Sequence, residues 1–359
     1  MNLKESRYSG YHLVCEMYDS LAVAANFDFS RTCGFARVIA DNRKLLLTGE
    51  GSSRIFPAKN FIYQLRTNAI DVNLNVMTEG CYQSLEYDLS DWSVVVASNS
   101  GQTGEAVALY RRLRELNHKR NFVVTAGTDT KLSELANETL VLSCGAERAV
   151  AATKSVVEQA LVYLSILHNL KSTGKNKNTC ANNCNDKEST NAEIKSQLQE
   201  MSKLGRQVMD VEYDLGLIER FMEAETLYFA GRNNGVAEEL ALKANEITRK
   251  RSFFLDGTYL LHGVEEVMSE RDVVVLVEPF EPECVKIDDL FVKKHKIPVI
   301  SISDFAVPFP TIEIPKLKGY DQFLQLFAGW NLLVQAAVRA GINPDKPTRA
   351  RKIGNKFDE

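Results

Sequence analysis

Residues 94–106, VVVASNSGQTGEA, constrain the fold more than any other stretch of the chain. Val94, Val95, Val96 and Ala97 form an unbroken apolar run, the pattern of a parallel strand buried on both faces, and polar, glycine-containing residues follow at once. A helix is expected next. Thr103 or Ser100 is placed to cap it, Glu105 suits its first turn, and residues 106–116 set Ala, Val and Leu at helical spacing above a basic face of Arg111, Arg112 and Arg114. Strand, hydroxyl-rich turn and helix start together make an anion cradle. Unpaired N–H groups converge at the helix start, the helix dipole favours negative charge, and Ser98, Ser100 and Thr103 add hydroxyl donors. The expected guest is a phosphate. With neither GxxxxGK[ST] nor GxGxxG spacing, the stretch is not a nucleotide P-loop or a dinucleotide fingerprint.

The same grammar recurs along the chain. Lys44 to Thr48 reads as a strand, and Gly49, Glu50, Gly51, Ser52 and Ser53 make a second small turn before a helical run from Arg54 to Arg66. Two such turns after two strands open at the carboxyl end of one sheet, where doubly wound folds bind ligands. Asn121 to Thr125 and Thr139 to Ser143 are further strands. Cys144 to Lys154 is a third loop entering a helix, with Thr153 or Ser155 to cap it and an apolar stripe from Val156 to Leu170. Residues 171–191 contain almost nothing to bury and are expected to be a flexible linker. A helix over 192–209 follows. The pattern then returns: strand Thr226 to Ala230, turn Gly231 to Gly235, helix Val236 to Thr248, and strands Asp272 to Val277, Pro298 to Ile302 and Thr311 to Ile314. The βαβ rhythm and its repetition predict a duplicated α/β chain. The expected divisions are a helical segment at 1–40, subdomains at 41–172 and 192–342 joined by a linker at 173–191, and a C-terminal tail at 343–359.

Charge excludes some classes of function. With 43 basic and 47 acidic residues the net charge is −4, which gives no support to a nucleic-acid partner. The seven cysteines, Cys15, Cys33, Cys81, Cys144, Cys180, Cys184 and Cys284, are odd in number and scattered, which suits free thiols in a reducing cytoplasm. Cys180 and Cys184 lack a second ligand pair, so no zinc or other metal is expected. No apolar run reaches membrane-spanning length and the first residues lack a signal-peptide core, so a cytoplasmic location and no membrane contact are expected.

Glu239, Lys243 and Glu246 are spaced four and three apart and share one helical face. A solvated charged stripe is the ordinary reading of such spacing, and a lone His262 among apolar residues is more often structural than catalytic. The whole set changes that weighting. Ser98 to Thr103, Glu147 to Lys154, Glu239 to Ile247, His262-Gly263, and Lys352 five residues after Pro347 resemble the sugar isomerase (SIS) domains, specifically the two-SIS isomerase half of glucosamine-6-phosphate synthase. The resemblance runs from about Lys44 to the C-terminus. It implies two tandem SIS subdomains, each a parallel five-stranded sheet flanked by helices, a flavodoxin-like three-layer sandwich.

The resemblance also implies roles. Ser98, Asn99, Ser100 and Thr103 with Ser52 and Ser53 hold the sugar phosphate and neighbouring hydroxyls, and Ala151 and Glu239 complete the binding set. Glu246 moves the proton between C1 and C2, Lys243 stabilises enediol or enolamine charge, His262 opens the ring, and Lys352 lies over the sugar, where it forms or assists an imine. The chemistry is coherent, since a 1,2 shift needs a carboxylate base, a cation beside the developing oxyanion and a near-neutral acid/base. No cofactor is called for. Asn99 and Asn245 stand where the synthase has Gln and Lys, which leaves the sugar's identity open. No glutaminase cysteine or domain is seen in the sequence, so the expected direction is catabolic: deamination of an amino-sugar 6-phosphate, glucosamine 6-phosphate first, to a ketose phosphate and ammonia. A fructosamine-6-phosphate deglycase, a simple phosphosugar isomerase and a non-catalytic sugar-phosphate-binding regulator are the alternatives. The family also implies a homodimer with shared active sites.

Overall fold

The apolar runs become parallel strands in two separate sheets. The computed structural model describes residues 1–68, 72–174 and 184–357. In the first sheet, β1 (Lys44–Gly49), β2 (Asn75–Glu79), β3 (Ser93–Ala97), β4 (Asn121–Thr125) and β5 (Glu138–Val141) lie in the order β2-β1-β3-β4-β5, every pairing parallel. In the second, β6 (Thr226–Gly231), β7 (Arg251–Asp256), β8 (Val273–Val277), β9 (Val299–Ser303) and β10 (Thr311–Glu313) lie in the order β10-β9-β8-β6-β7, again all parallel. Counted from the start of each half, both orders are 2-1-3-4-5. The expected pair of five-stranded α/β sheets is present, and the duplication extends to topology.

The chain forms two compact units. The first-sheet unit comprises Ala22–Glu147, Ala152–Glu200 and Arg351–Glu359; the second-sheet unit comprises Met1–Leu21, Arg148–Ala151 and Met201–Ala350. In the helix His12–Ala25, within the segment expected to be helical, Leu13, Val14, Met17, Leu21 and Ala24 are buried. The helices Lys154–Gly174 and Cys184–Asp210 both reach into the stretch expected to be a linker, so that reading is corrected for 171–174 and 184–191; residues 175–183, including Cys180, lie outside the described residues. Cys15, Cys33, Cys81, Cys144 and Cys284 are free thiols.

Strand order fixes where a ligand can sit. A parallel crossover is right-handed, so stepping from β1 outward to β2 and from β3 outward to β4 sends their helices to opposite faces and leaves a crevice beyond the carboxyl ends of β1 and β3. The helices group accordingly: Ile55–Thr67 packs with Lys154–Gly174, and Gly104–Glu115 packs with Cys81–Ser84 and Lys131–Leu135. At the crevice the two strands come so close that a side chain does not fit. Gly49 (φ 155°) pairs with Ala97, and a Cβ on it would lie 2.6 Å from the Ala97 carbonyl oxygen. Gly231 (φ 145°) repeats the arrangement in the second sheet, with Val277 in place of Ala97.

Inner strands are apolar on both faces, and β3, β4, β6, β8 and β9 are buried at every residue. The sequence reading assigned no strand to β2 or β7, the edge strands next to the first strand of each sheet. Both are mixed in polarity and partly exposed, so they lack the continuous apolar run that marks their neighbours.

Glu158 is a buried charge satisfied inside the first-sheet unit. Glu158 has no exposed side-chain surface; it pairs with Arg31 at 2.9 Å and accepts from Ser143 N at 2.8 Å, Ser143 Oγ at 2.7 Å and Cys144 N at 2.7 Å. Burial pushes its carboxyl up, but these donors, led by the Ser143 amide, together outweigh burial and hold it below the usual carboxylate value. A carboxyl depressed by folding stabilises the fold above its unfolded pKa of about 4.3 and loses that contribution as pH falls through the lowered value. Glu158→Ala, which strands Arg31 and two amides, is expected to lose about 3–5 kcal/mol in urea denaturation at pH 7. Glu158→Gln is expected to lose less and to show a flatter decline of melting temperature between neutral and acid pH.

Candidate active site

The helix Val236–Lys243 continues as a π-helical turn, Ala244–Thr248, which carries Glu246. The extra residue per turn of such a segment re-aims side chains, and π-turns are frequent at functional sites. Lys243 has no exposed side-chain surface. Its Nζ lies 2.7 Å from Glu246 Oε2 and 3.3 Å from Glu239 Oε1; Glu239 is likewise fully buried, whereas the Glu246 side chain is 24% exposed. The charged face read from sequence is thus a buried triad with one accessible member. Burial disfavours the ammonium, but Glu246 first and Glu239 second overcome it and raise the Lys243 pKa above the ordinary lysine value. Lys243 is therefore a fixed cation beside an accessible carboxylate, the pairing that proton transfer next to a developing oxyanion requires.

His262 follows a single tight turn, Tyr259–Leu261, with its own N–H on the Tyr259 carbonyl at 3.0 Å. It is exposed, and among the described residues its imidazole has no hydrogen-bond partner. Ala151 is buried in the Arg148–Ala151 segment. Glu239, Lys243, Glu246, His262 and Ala151 all belong to the second-sheet unit.

The remaining predicted residues gather in the first-sheet unit at its crevice. Ser98 Oγ lies 3.0 Å from Thr103 Oγ1 and accepts from Gly101 N at 3.2 Å, while Ser100 Oγ accepts from Gln102 N at 3.2 Å. Thr103 occupies the N-cap position of the helix Gly104–Glu115, but its hydroxyl makes no capping bond to the helix, a correction to the capping expected of it. The hydroxyl faces Ser98 instead. Ser52 and Ser53 lie in the turn Gly51–Ser53 after β1, where Ser53 Oγ accepts from Gln159 Nε2 at 3.4 Å.

Two details of this crevice go beyond the sequence reading. The first is how the C-terminal tail bonds to residues 102–104. Asn355 O accepts the first helical amide, Gly104 N, at 2.9 Å; Phe357 N donates to Gln102 O at 2.9 Å; and Lys356 bridges Thr103 in antiparallel register. Phe357 packs on the core cluster that includes Ala106, Val107 and Tyr110, with the Arg111 guanidinium 4.3 Å from its ring centroid. One of the helix-start donors assigned to an anion is therefore spent on the tail. The second feature is Glu147, which accepts from Thr153 N at 2.8 Å, Ser155 N at 3.3 Å, Ser155 Oγ at 2.7 Å and Asn99 Nδ2 at 3.3 Å, and pairs with Lys352 Nζ at 3.3 Å. Thr153 and Ser155 were read as caps, yet the carboxylate of Glu147 caps the amides at the start of the helix Lys154–Gly174.

The duplicate crevice in the second sheet has a different lining. Where Ser98 follows β3, Glu278 follows β8, at φ 48°; its carboxylate accepts from Gln325 Nε2 at 2.7 Å and Asn234 Nδ2 at 3.4 Å, and burial pushes its pKa up. An acid at the position of the first phosphate-loop serine disfavours an anion there.

No family model matches the chain. Over 190 residues it is 30% identical to the glutamine–fructose-6-phosphate aminotransferase (isomerizing) of Clostridium perfringens, a match covering 51% of this chain and 29% of that protein. The chain thus spans roughly a third of the length of the curated relatives it matches. Among solved structures, the C-terminal domain of glucosamine-fructose-6-phosphate aminotransferase from Francisella tularensis superposes with a TM-score of 0.71 at 16% identity, covering 94% of this chain and 98% of that one. The fold of the chain is that of the SIS-domain structures. A glucosamine-6-phosphate deaminase from Thermotoga maritima shares the SIS-domain fold, with a TM-score of 0.64 at 18% identity over 94% of this chain and 98% of that one.

The triad gives a stability test that does not depend on the reaction. Lys243→Met removes the cation beside the buried Glu239 carboxylate, and a loss of about 3–5 kcal/mol is expected in denaturant titration. Glu239→Gln in the same chain is expected to restore part of that loss. A double variant as unstable as the single one would mean that the burial of Glu239 does not depend on Lys243.

Proposed function

We propose that this protein of SIS-domain fold is a phosphosugar aldose–ketose isomerase that works as a deaminase on an amino-sugar 6-phosphate, with glucosamine 6-phosphate the first candidate. The observation that carries the reading is the accessible Glu246 carboxylate held 2.7 Å from a fully buried, cationic Lys243. Among similar proteins, the aminotransferases named above join fructose 6-phosphate and an amine, and a fold neighbour is a glucosamine-6-phosphate deaminase.

The phosphate is held by hydroxyls of Ser98, Ser100 and Thr103 with Ser52 and Ser53, and Asn99 supports the neighbouring sugar hydroxyls. His262 transfers a proton between the ring oxygen and the C1 hydroxyl to open the pyranose. Glu246 removes the C2 proton of the open aldehyde, and Lys243 offsets the charge that grows on O1 as the enolamine forms. Glu246 then delivers the proton to C1. The resulting C2 imine takes up water and releases ammonia, leaving the ketose phosphate. Lys352 lies over the sugar and assists at the imine stage. His262, exposed on its own protomer, serves the site of a neighbour in a homodimer. No step calls for a cofactor.

Ammonia release from glucosamine 6-phosphate, with coupled detection of fructose 6-phosphate, tests this reading. Wild type is expected to release both products in equal amounts, and Glu246→Gln to lower kcat by about a hundredfold or more, the range for loss of one general base. Interconversion of aldose and ketose phosphates without ammonia would replace the deaminase with a plain isomerase. Phosphosugars that raise the melting temperature but are not turned over would mark a sensor.

A further inference from the structure

We infer that Glu147 is a positioning residue, which sets where the Lys352 ammonium and the Asn99 amide stand by tying both to the start of the helix Lys154–Gly174. The two oxygens of its carboxylate do different work. Oε1 takes the Thr153 and Ser155 amides at 2.8 and 3.3 Å, so it is fixed by the backbone of a helix whose side chains are buried from Ser155 to Leu167. Oε2 takes the Ser155 hydroxyl at 2.7 Å and then faces Asn99 Nδ2 and Lys352 Nζ, both at 3.3 Å. The helix start therefore serves as a rigid mount, and the second oxygen holds one group from the loop after β3 and one from the C-terminal tail.

The carboxylate is well suited to this task. Its side chain has no exposed surface while that of Lys352 is 32% exposed, so the acid is the anchored partner and the lysine the one able to reach a ligand. Burial alone pushes the Glu147 carboxyl up; Lys352 next, then the Thr153 amide and the Ser155 donors, pull it below the ordinary glutamate value. The tail is fixed a second time only three residues on, where Asn355 and Phe357 bond to Gly104 and Gln102. Between these two attachments Lys352 has little freedom. A lysine left to its own rotamers gives up side-chain entropy when it is held in one geometry, a cost that prior anchoring removes from the step in which it meets a ligand.

The kinetic part of this inference rests on the proposed isomerase reading; the tethering does not. The test compares Glu147→Gln, which keeps the shape and removes the charge, with Ser155→Ala, which removes one bond at the helix start and keeps the charge. The rate of Lys352 modification by a small amine-reactive reagent is read by peptide mass spectrometry at neutral pH, with Lys154 as the internal reference. Labelling of Lys352 is expected to rise at least fivefold in Glu147→Gln and to stay within twofold of wild type in Ser155→Ala, whose melting temperature falls. No rise in Glu147→Gln, or an equal rise in both variants, would overturn the inference. With an active wild type, Glu147→Gln is expected to lower kcat/KM on the phosphosugar tenfold or more, chiefly through kcat, and to have a smaller effect in a Lys352→Met background, where only the hold on Asn99 is left to lose. An independent, additive loss in the double variant would also overturn it. A wild type that turns over no phosphosugar removes the functional reading, while labelling still decides the tether.

Discussion

The right-handed crossover of parallel strands decides where this chain can place chemistry. Once a strand rises, crosses by a helix and returns parallel, the two helices flanking the first and third strands must lie on opposite faces, and a crevice opens above the carboxyl ends. Both sheets obey this with the same 2-1-3-4-5 order, and both bring two strands together at a glycine that a Cβ would drive into a carbonyl. The inner strands are apolar on both faces and contribute little beyond position. Chemistry is left to the residues that immediately follow them, so one substitution pattern separates the two halves. Serine after β3 begins a hydroxyl-lined turn; glutamate after β8, held by Gln325 and Asn234, puts an acid at the same place.

Within that frame, three buried carboxylates are satisfied in three ways. Glu158 is surrounded by amides, a hydroxyl and an arginine, and its role ends in the fold. Glu239 pairs with a lysine that a second carboxylate shares. Glu147 gives one oxygen to the backbone and the other to groups that can also meet a ligand. An isolated buried charge costs several kcal/mol, so each acid needs partners; what differs is whether those partners are fixed by the fold or remain available. Lys243 and Lys352 differ on the same axis. The first is wholly enclosed and can act only as a field on Glu246, whereas the second keeps a third of its side chain exposed and is aimed by its partner.

The sequence was most legible where local chemistry and fold coincide. The Val94–Ala97 run, the hydroxyl turn after it and the spacing of Glu239, Lys243 and Glu246 each follow from periodicity, and the structure places each accordingly. Edge strands β2 and β7 escaped because burial on one side only breaks the apolar run that marks a parallel strand. The start of the helix Cys184–Asp210 escaped because its first residues are polar and carry no stripe. Caps were misjudged for a different reason: a sequence rule offers the nearest hydroxyl, Thr103 or Thr153, while the fold delivers a tail carbonyl to Gly104 and a glutamate from six residues away to Thr153.

That difference between near and distant partners bears on how the anion turn works. A helix start offers a few unpaired amides, and each one taken by the protein is withdrawn from a ligand. Here Gly101 and Gln102 are turned toward Ser98 and Ser100 of their own loop, and Gly104 toward Asn355 of the tail. The loop is thereby held in shape before any ligand arrives, and preorganised donors stabilise charge without the cost of rearranging at the moment of reaction. The tail that takes one amide also carries Lys352, a cation that Glu147 holds by the same crevice. A neutral donor is exchanged for a charged one, and hydrogen bonds from charged groups are roughly twice as strong as those from neutral groups. Under the proposed function the C-terminal segment belongs to the anion site, and its register on residues 102–104 sets where the Lys352 charge stands.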